Sequence, residues 1–274
     1  MSTRPPELIL ADNLSYGWGK AFIKAMQATP RTLSPMILSI GFVNGEIAED
    51  DRIRTAVDDA LAHKPRKYAS ETSAMMIFPH HQWERRGRPP RDQFFRWYLD
   101  EFLPRLKARN RLNRTGTYFE RMIAYRGTKR PRRARDPEVA VKNQLDHIVS
   151  IWHRDRARGS RPRHSALQAA CFDPVKDHTG QKLRGFPCLQ QVSLSYDDEG
   201  GLAVEAYYPT QYIFDRGYGN YLGLARLGRF MAHEMGLCLM RLNCFVAHPE
   251  LGGDVTKEEL RPLEAVVRGQ LPAE

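Results

Sequence analysis

The stretch "RGFPCLQQVSLSYDDEGGLAVEAYYPTQ", residues 184–211, predicts an antiparallel hairpin with a cysteine at its beginning. Apolar and polar residues alternate over 192–196 and again after the turn sequence "DDEGG", as in half-buried strands joined by a tight turn. Cys188 follows Pro187 where the first strand is expected to open. A cysteine in a strand is often a small core residue, but one behind a rigid Phe-Pro entry can also be held for chemistry.

On both sides of the hairpin, helical and strand patterns are mixed without a regular βαβ alternation. Amphipathic spacing, capping residues and end charges predict helices within 11–28, 49–64, 91–109, 137–154, 219–237 and 254–268. Short apolar runs predict further strands within 34–47, 72–79, 165–174 and 238–248, and β-forming residues follow Gly116. The pattern indicates an α+β fold rather than a doubly wound one, and we treat residues 1–274 as a single domain.

The formal charge of +10 is concentrated in two basic runs, "RGTKRPRRARD" (126–136) and "HRDRARGSRPRH" (153–164). Such runs suit nucleotide or nucleic-acid partners, although each is equally well explained as a solvated loop. Neither run contains interleaved aromatic residues, and no helix-turn-helix or zinc pattern accompanies them.

The four cysteines, at positions 171, 188, 238 and 244, show no C-x-x-C pair and no spacing typical of a metal site. We therefore expect no bound metal. The sequence also shows no signal peptide and no apolar run long enough for a membrane helix. These features favour a cytoplasmic protein whose cysteines are free thiols.

Several motifs follow one another in an order that resembles the thymidylate synthase family, including its pyrimidine-nucleotide hydroxymethylase relatives. They are "GTYFERMI", "NQLDHIVSIW", an Arg-rich turn before "ALQAACFDP", then "PC" opening a strand, "GLAVEAYY", and a helix from "GNYLG" to "AHEMGL". The resemblance covers roughly residues 110–248 and depends on order and spacing more than on any single motif. It implies a mixed sheet of about six strands, with helices on one face and a second copy stacked on the other as a homodimer.

The resemblance also implies a reaction and the residues that perform it. In the family, a cysteine thiolate adds to C6 of a pyrimidine, and C5 then attacks a one-carbon unit carried by a reduced folate. Cys188 matches the nucleophile, and Tyr118 matches a tyrosine involved in proton transfer at C5. Asn220 matches the asparagine that hydrogen-bonds the pyrimidine edge. Tyr118 could instead be a core tyrosine, and Asn220 could instead cap the helix that it begins.

The phosphate site departs from the family pattern. Pro209 and Thr210 stand where the family has an Arg-Ser phosphate grip, and the paired arginines that reach a partner subunit fall on Ser165 and Ala166. A guanidinium fork is the usual device for binding phosphate, so threonine and serine are weak substitutes. We name as substrate-binding candidates the arginines nearest in sequence, which are expected to lower the thiol pKa as well: Arg161, Arg163 and Arg184.

Three further positions differ from the family. Leu189 replaces the histidine that usually follows the cysteine, and His248 falls at the late strand where the family holds the ribose. Tyr212 falls where the family has an aspartate that contacts the folate. A phenol cannot accept hydrogen bonds as a carboxylate does, so we expect 5,10-methylenetetrahydrofolate, the implied cofactor, to bind weakly or differently.

Two hypotheses follow. The first is a methyl or hydroxymethyl transferase that acts at C5 of a pyrimidine nucleotide or pyrimidine-like substrate, in a specialised pathway. The second is a catalytically altered family member that binds nucleic acid or nucleotides through its basic loops. A base within a polynucleotide is a further substrate consistent with the first hypothesis.

Overall fold

The structure is a computed structural model, and it describes residues 5–28, 34–64, 68–109, 116–129, 138–178 and 187–272. Its strands are β1 (Glu7–Ala11), β2 (Met36–Gly41), β3 (Tyr125–Lys129), β4 (Glu138–Lys142), β5 (Gln168–Ala170), β6 (Gln191–Tyr196), β7 (Gly201–Tyr212) and β8 (Cys238–Glu250). Its α-helices are α1 (Leu14–Gln27), α2 (Asp51–Ala62), α3 (Ser70–Ile77), α4 (His80–Arg85), α5 (Arg91–Trp97), α6 (Leu103–Arg109), α7 (Tyr118–Ile123), α8 (Gln144–Ala157), α9 (Pro174–Asp177), α10 (Tyr218–Met235) and α11 (Lys257–Gln270). Two π-helical segments, Tyr98–Phe102 and Ile213–Gly217, and one 3₁₀ turn, His164–Ala166, complete the elements of the described residues.

Six strands form one mixed sheet in the order β1-β2-β8-β7-β6-β5, which confirms the α+β class and the six-stranded mixed sheet. β1 pairs with β2 and β7 with β8 in parallel, whereas the other three pairings are antiparallel. The predicted hairpin is β6–β7, in register from Gln191 opposite Tyr207 to Tyr196 opposite Leu202. β3 and β4 form a separate two-stranded sheet.

The large sheet buries one face under helices and leaves residues of the other face exposed. On the covered face, side chains such as Leu38, Val204, Leu242, Cys244 and Val246 are buried, and α10 contacts both β7 and β8. On the opposite face, exposed apolar side chains lie in one row of paired residues across four strands: Leu8, Ile37, Phe245 and Tyr207.

Local sequence signals account for several element boundaries. The Asn13 side chain accepts hydrogen bonds from the amides of Ser15 and Tyr16 and so begins α1. Thr256 and Glu259 form a capping box at the start of α11. Asn44 and Gly45 both have positive φ, 52° and 72°, as the predicted Asn-Gly turn after β2 requires.

The expectation of a strand within 72–79 is wrong, because this segment contributes to α3. Ser70, Ser73, Ala74 and Ile77 are buried at helical spacing, and they pack against α10. A short apolar run without caps fits either a buried strand or a buried helix, so its periodicity alone did not decide the outcome.

Two other boundaries differ from expectation. The segment predicted as one helix over 137–154 divides into β4 and α8, because Asn143 caps the helix and accepts a hydrogen bond from the Asp146 amide. The residues after Gly116 form the short helix α7 before β3 begins, so Tyr118 is helical rather than extended. Among the helices of the described residues, none is long and apolar enough to cross a membrane.

Candidate active site around Cys188

Cys188 lies three residues before β6, not at its first residue. The Gln190 amide donates to the Tyr207 carbonyl at 3.0 Å, so the chain before β6 continues alongside the second half of β7. Pro187 and Leu189 are buried, whereas Cys188 between them is exposed. The two buried neighbours fix the backbone, and Cys188 itself is exposed near the end of β7.

Tyr118 is the closest functional partner of Cys188. Its hydroxyl hydrogen-bonds the Cys188 thiol and accepts from the backbone amides of Cys188 and Leu189. The start of α7 is fixed because the Thr117 hydroxyl bonds both the Glu120 amide, at 2.9 Å, and the buried Tyr98 hydroxyl, at 2.7 Å. The structure therefore brings together the two residues predicted to be catalytic.

The helix that carries Tyr118 is also anchored by a nearly buried ion pair. Arg121 donates to both carboxylate oxygens of Asp177, at 2.6 Å and 2.8 Å, and to the Cys171 carbonyl at 2.9 Å. These bonds connect α7 with β5 and α9. A bidentate pair constrains orientation as well as distance, so it fixes the orientation of the helix that carries Tyr118.

Electrostatics around the thiol differ from the expectation of a lowered pKa. Burial of the sulfur atom among protein atoms raises the pKa of Cys188 above its usual value, although the residue as a whole is exposed. The hydrogen bond from Tyr118 and the positive charge of Arg216 act in the opposite direction. The pKa of Tyr118 is itself raised, by burial first and then by the neighbouring thiolate, so its hydroxyl stays protonated and donates at neutral pH.

Arg216 is a site residue that the sequence analysis missed. It lies in the π-helical segment that joins β7 to α10, is half-buried, and donates to the Ser73 hydroxyl at 3.2 Å. Its guanidinium also lies 5.1 Å from the ring centre of Tyr68. Sequence proximity to Cys188 pointed to other arginines, and only the fold brings residue 216 close enough to lower the pKa of the thiol.

Asn220 follows in the first turn of α10 and is buried, with 6% of its surface exposed. Its side chain makes no hydrogen bond within the part of the chain that the structure describes. Gly219, just before it, contacts α3 so closely that an added Cβ would lie 2.4 Å from the Ser70 carbonyl oxygen. Asn220 is therefore held in the buried first turn of the helix.

The other predicted binding residues lie at different distances from Cys188, and one of them is not described by the structure. His248 is exposed on β8 and pairs with Thr210 of β7, at the same end of the sheet as Cys188. Tyr212 ends β7 there, and its pKa is raised by partial burial and then by Glu250 and Cys188. Arg184 lies outside the described residues.

Arg161 and Arg163 are exposed and lie near the far end of β6, about 26 Å along the chain from Cys188 at about 3.3 Å per residue. Arg161 pairs with Asp198 in the hairpin turn and lies over the Tyr196 ring at 5.6 Å. Within one chain these arginines do not reach Cys188. Most of the basic run 126–136 lies outside the described residues, and in the second run Arg154 also pairs with an acidic neighbour, Asp155.

The remaining cysteines lie in different surroundings. Cys171 and Cys244 are fully buried, and burial raises the pKa of Cys171 to about 12 and that of Cys244 further still. Cys238 is half-buried at the start of β8. Within the described ranges, no group of three or more His, Cys, Asp or Glu side chains is arranged to hold a metal ion.

The chain matches no protein-family model, and no curated protein sequence is significantly similar to it.

Proposed function

We propose that this chain is a thymidylate synthase-like transferase that adds a one-carbon unit, methyl or hydroxymethyl, to C5 of a pyrimidine nucleotide or related compound. The observation that carries the proposal is Cys188, an exposed residue whose thiol is hydrogen-bonded by Tyr118 and lies within the field of Arg216. The order of motifs in the sequence supports it independently. A cytoplasmic location belongs to the same proposal, because the thiol must remain reduced.

In the proposed reaction, the Cys188 thiolate adds to C6 of the pyrimidine, and the electron pair of the C5–C6 double bond moves to C5 and the O4 enolate. C5 then attacks the electrophilic one-carbon unit. Loss of the C5 proton and cleavage of the bond between the one-carbon unit and its donor would leave an exocyclic methylene group on the adduct. Hydride from the reduced folate, which would be oxidised to dihydrofolate, would give the methyl product, and water would give the hydroxymethyl product. Either addition expels the Cys188 thiolate and restores the C5–C6 double bond. Tyr118 stabilises the thiolate by hydrogen bonding when it forms and leaves, and Asn220 bonds the amide-like edge of the base.

The proposed carbon donor is methylenetetrahydrofolate. Tyr212 lies beside Cys188 at the position where the resemblance implies a folate-binding aspartate. Because a phenol presents a hydroxyl rather than a charged acceptor, this folate should bind weakly or in a different orientation. The proposal therefore includes a reduced folate as donor without requiring the family's mode of holding it.

The proposal extends to a homodimer in which two sheets stack face to face. The exposed row of Leu8, Ile37, Phe245 and Tyr207 supports it, because these large apolar residues are 39–60% exposed. The Tyr207 and Phe245 rings stack at 5.7 Å and form a flat surface at one end of this row. A second copy is the partner that the resemblance implies, and a two-fold axis would place the row against itself.

The test is exchange of the C5 hydrogen, which needs no carbon donor. Addition of a thiolate to C6 makes C5 basic, so a pyrimidine incubated with the protein in D₂O should acquire deuterium at C5. We expect the wild-type chain to exchange at least one of uridine, uridine monophosphate, deoxyuridine monophosphate or their cytosine counterparts. Cys188→Ser should abolish the exchange, and Cys238→Ser should retain it. Exchange that persists in Cys188→Ser, or none with any of these compounds, would refute the proposal.

A further inference from the structure

His248 and Glu250 form a side-chain pair on β8, at the end of the sheet that carries Cys188. The Nε2 atom of His248 lies 3.5 Å from the Oε1 atom of Glu250. The two residues are two positions apart on one strand, so their side chains project from the same face. A carboxylate beside Nε2 favours the neutral tautomer with its proton on that atom, which leaves the lone pair of Nδ1 to accept a proton.

Strand pairing places this pair across β7 from Cys188. Thr210 of β7 pairs with His248. Along the other edge of β7, the amide two residues after Cys188 donates to the Tyr207 carbonyl, so Cys188 lies at the level of residues 209–210. Two strand spacings, about 10 Å, therefore separate the backbones at Cys188 and His248. The side chains of both residues would face a pyrimidine bound between them.

Tyr212 connects the two sides of this gap, and the gap is open to water. The pKa of Tyr212 is raised by partial burial and then by Glu250 and Cys188, so its phenol lies close to both groups. Tyr212 is 38% exposed, and the side chains of His248 and Glu250 are 52% and 31% exposed. Water therefore reaches the side of the site that β8 forms.

We propose that His248, oriented by Glu250, is the general base that activates water in the last step, and that the chain is a hydroxymethyltransferase. This inference rests on the proposed function and selects one of its two products. The Nδ1 atom of His248 takes a proton from water, and the water oxygen bonds the exocyclic methylene carbon of the adduct. The electron pair of the exocyclic double bond forms the C5–C6 double bond, and the C6–S bond breaks to release the Cys188 thiolate. The imidazolium then gives its proton to the thiolate or to solvent, and tetrahydrofolate leaves without being oxidised.

The methyl product would make the opposite demands on the site. Hydride transfer requires the reduced folate to stay beside the methylene carbon, in a position that excludes water. Tyr212 stands where the resemblance implies an aspartate that holds the folate, and its raised pKa keeps the phenol neutral. A weakened folate contact and a base beside solvent are separate features, and both favour water over hydride.

The experiment identifies the products formed from methylenetetrahydrofolate and the pyrimidine that shows C5 exchange. The wild-type chain should give the hydroxymethyl product and tetrahydrofolate, and heavy-oxygen water should label the new hydroxyl group. C5 exchange without the donor is measured on each variant as the reference. His248→Ala should lower the ratio of hydroxymethyl formation to C5 exchange about 100-fold or more, and free imidazole should restore part of it. Glu250→Gln should lower the ratio less, and Glu250→Asp should recover part of that loss.

His233 provides a matched control at the other end of α10. Its Nδ1 atom lies 3.3 Å from the Oε1 atom of Glu234, and its side chain is 47% exposed, so it forms a similar pair far from Cys188. His233→Ala should keep the wild-type ratio. Rescue by imidazole separates a missing base from a structural defect, because a misfolded chain would not respond to it.

The outcomes separate this inference from the proposed function. Absence of C5 exchange in the wild-type chain would refute the proposed function and the inference with it. C5 exchange accompanied by a methyl product and dihydrofolate, or by no hydroxymethyl product, would overturn the inference alone. A wild-type ratio in His248→Ala would do the same. Loss of C5 exchange together with hydroxymethylation in that variant would assign His248 to substrate binding and also overturn it.

Discussion

At the scale of single residues, Cys188 combines exposure with two groups that stabilise its thiolate. Tyr118 supplies a hydrogen bond and Arg216 a positive charge, while desolvation opposes both. The net pKa is raised, so the free enzyme holds its nucleophile mostly as a thiol at neutral pH. Reactivity therefore depends on keeping both stabilising groups in place.

Tyr118→Phe tests this balance. Without the phenol, the thiolate loses a hydrogen-bond donor, so the pKa of Cys188 should rise further and its alkylation at pH 8 should slow several-fold. The rate should be measured against pH by mass spectrometry of the labelled peptide. A Tyr16→Phe variant, which alters a tyrosine outside the site, serves as the control. An unchanged or faster rate in Tyr118→Phe would show that the hydrogen bond has no effect on the thiol.

At the scale of elements, the site depends on close packing between α3 and α10. Gly223 lets the two helices approach, because a Cβ there would lie 2.7 Å from the Ala74 carbonyl oxygen and 2.9 Å from the Ile77 Cβ. α3 carries Ser73, the hydrogen-bond partner of Arg216, so separation of the helices would also disturb the site.

Gly223→Ala should therefore lower the free energy of unfolding by about 1–3 kcal/mol, since overpacking outweighs the gain in helix propensity. Urea denaturation measures the change. Gly269→Ala in α11 is the matched control, because nothing lies within 4 Å of the added Cβ. It should leave stability unchanged or raise it by up to about 1 kcal/mol. Equal effects of the two substitutions would contradict the packing argument.

His80, at the start of α4, gives the fold a predictable dependence on pH. Burial, followed by the positive charges of Arg226 and others, lowers its pKa to about 4 from an ordinary 6.5. Between these values the unfolded chain binds a proton that the folded chain does not, so stability should fall as the pH drops from 6.5 towards 4, by at most about 3 kcal/mol. His80→Gln should show a shallower decline in urea midpoints over this range. An identical decline would assign the effect to other groups.

The sequence predicted the elements with strong local signals and missed those determined by tertiary contacts. Alternation of apolar and polar residues predicted the hairpin, helical spacing of apolar residues predicted α10, and the Asn-Gly dipeptide predicted a turn with left-handed backbone. All three signals are local in sequence. α3 could not be distinguished from a strand, because its identity depends on the glycines of a helix that is distant in sequence. Tyr118 and Cys188 were predicted through the resemblance, whereas Arg216 had no local signal because only the fold brings it to the thiol.

At the scale of the whole molecule, the exposed apolar row of Leu8, Ile37, Phe245 and Tyr207 is the surface that the proposed dimer would cover. Light scattering at micromolar concentration should give about 63 kDa, twice the chain mass of 31.5 kDa. Phe245→Asp should shift the protein to the monomer, because it places a charge in the centre of an apolar contact. Val175→Asp, at a position that is 95% exposed on α9, should leave the mass unchanged. A monomeric wild-type chain would refute the stacked-sheet dimer.

The central claim, that Cys188 is a nucleophile and not a packing group, is tested most directly by competitive alkylation of all four cysteines. With limiting iodoacetamide near pH 7, peptide mass spectrometry should find Cys188 labelled first, Cys238 more slowly, and the buried Cys171 and Cys244 only on unfolding. Arg216→Gln should slow labelling of Cys188 and leave that of Cys238 unchanged. Labelling of Cys188 no faster than that of Cys238, or a Cys188 rate indifferent to Arg216, would contradict the account.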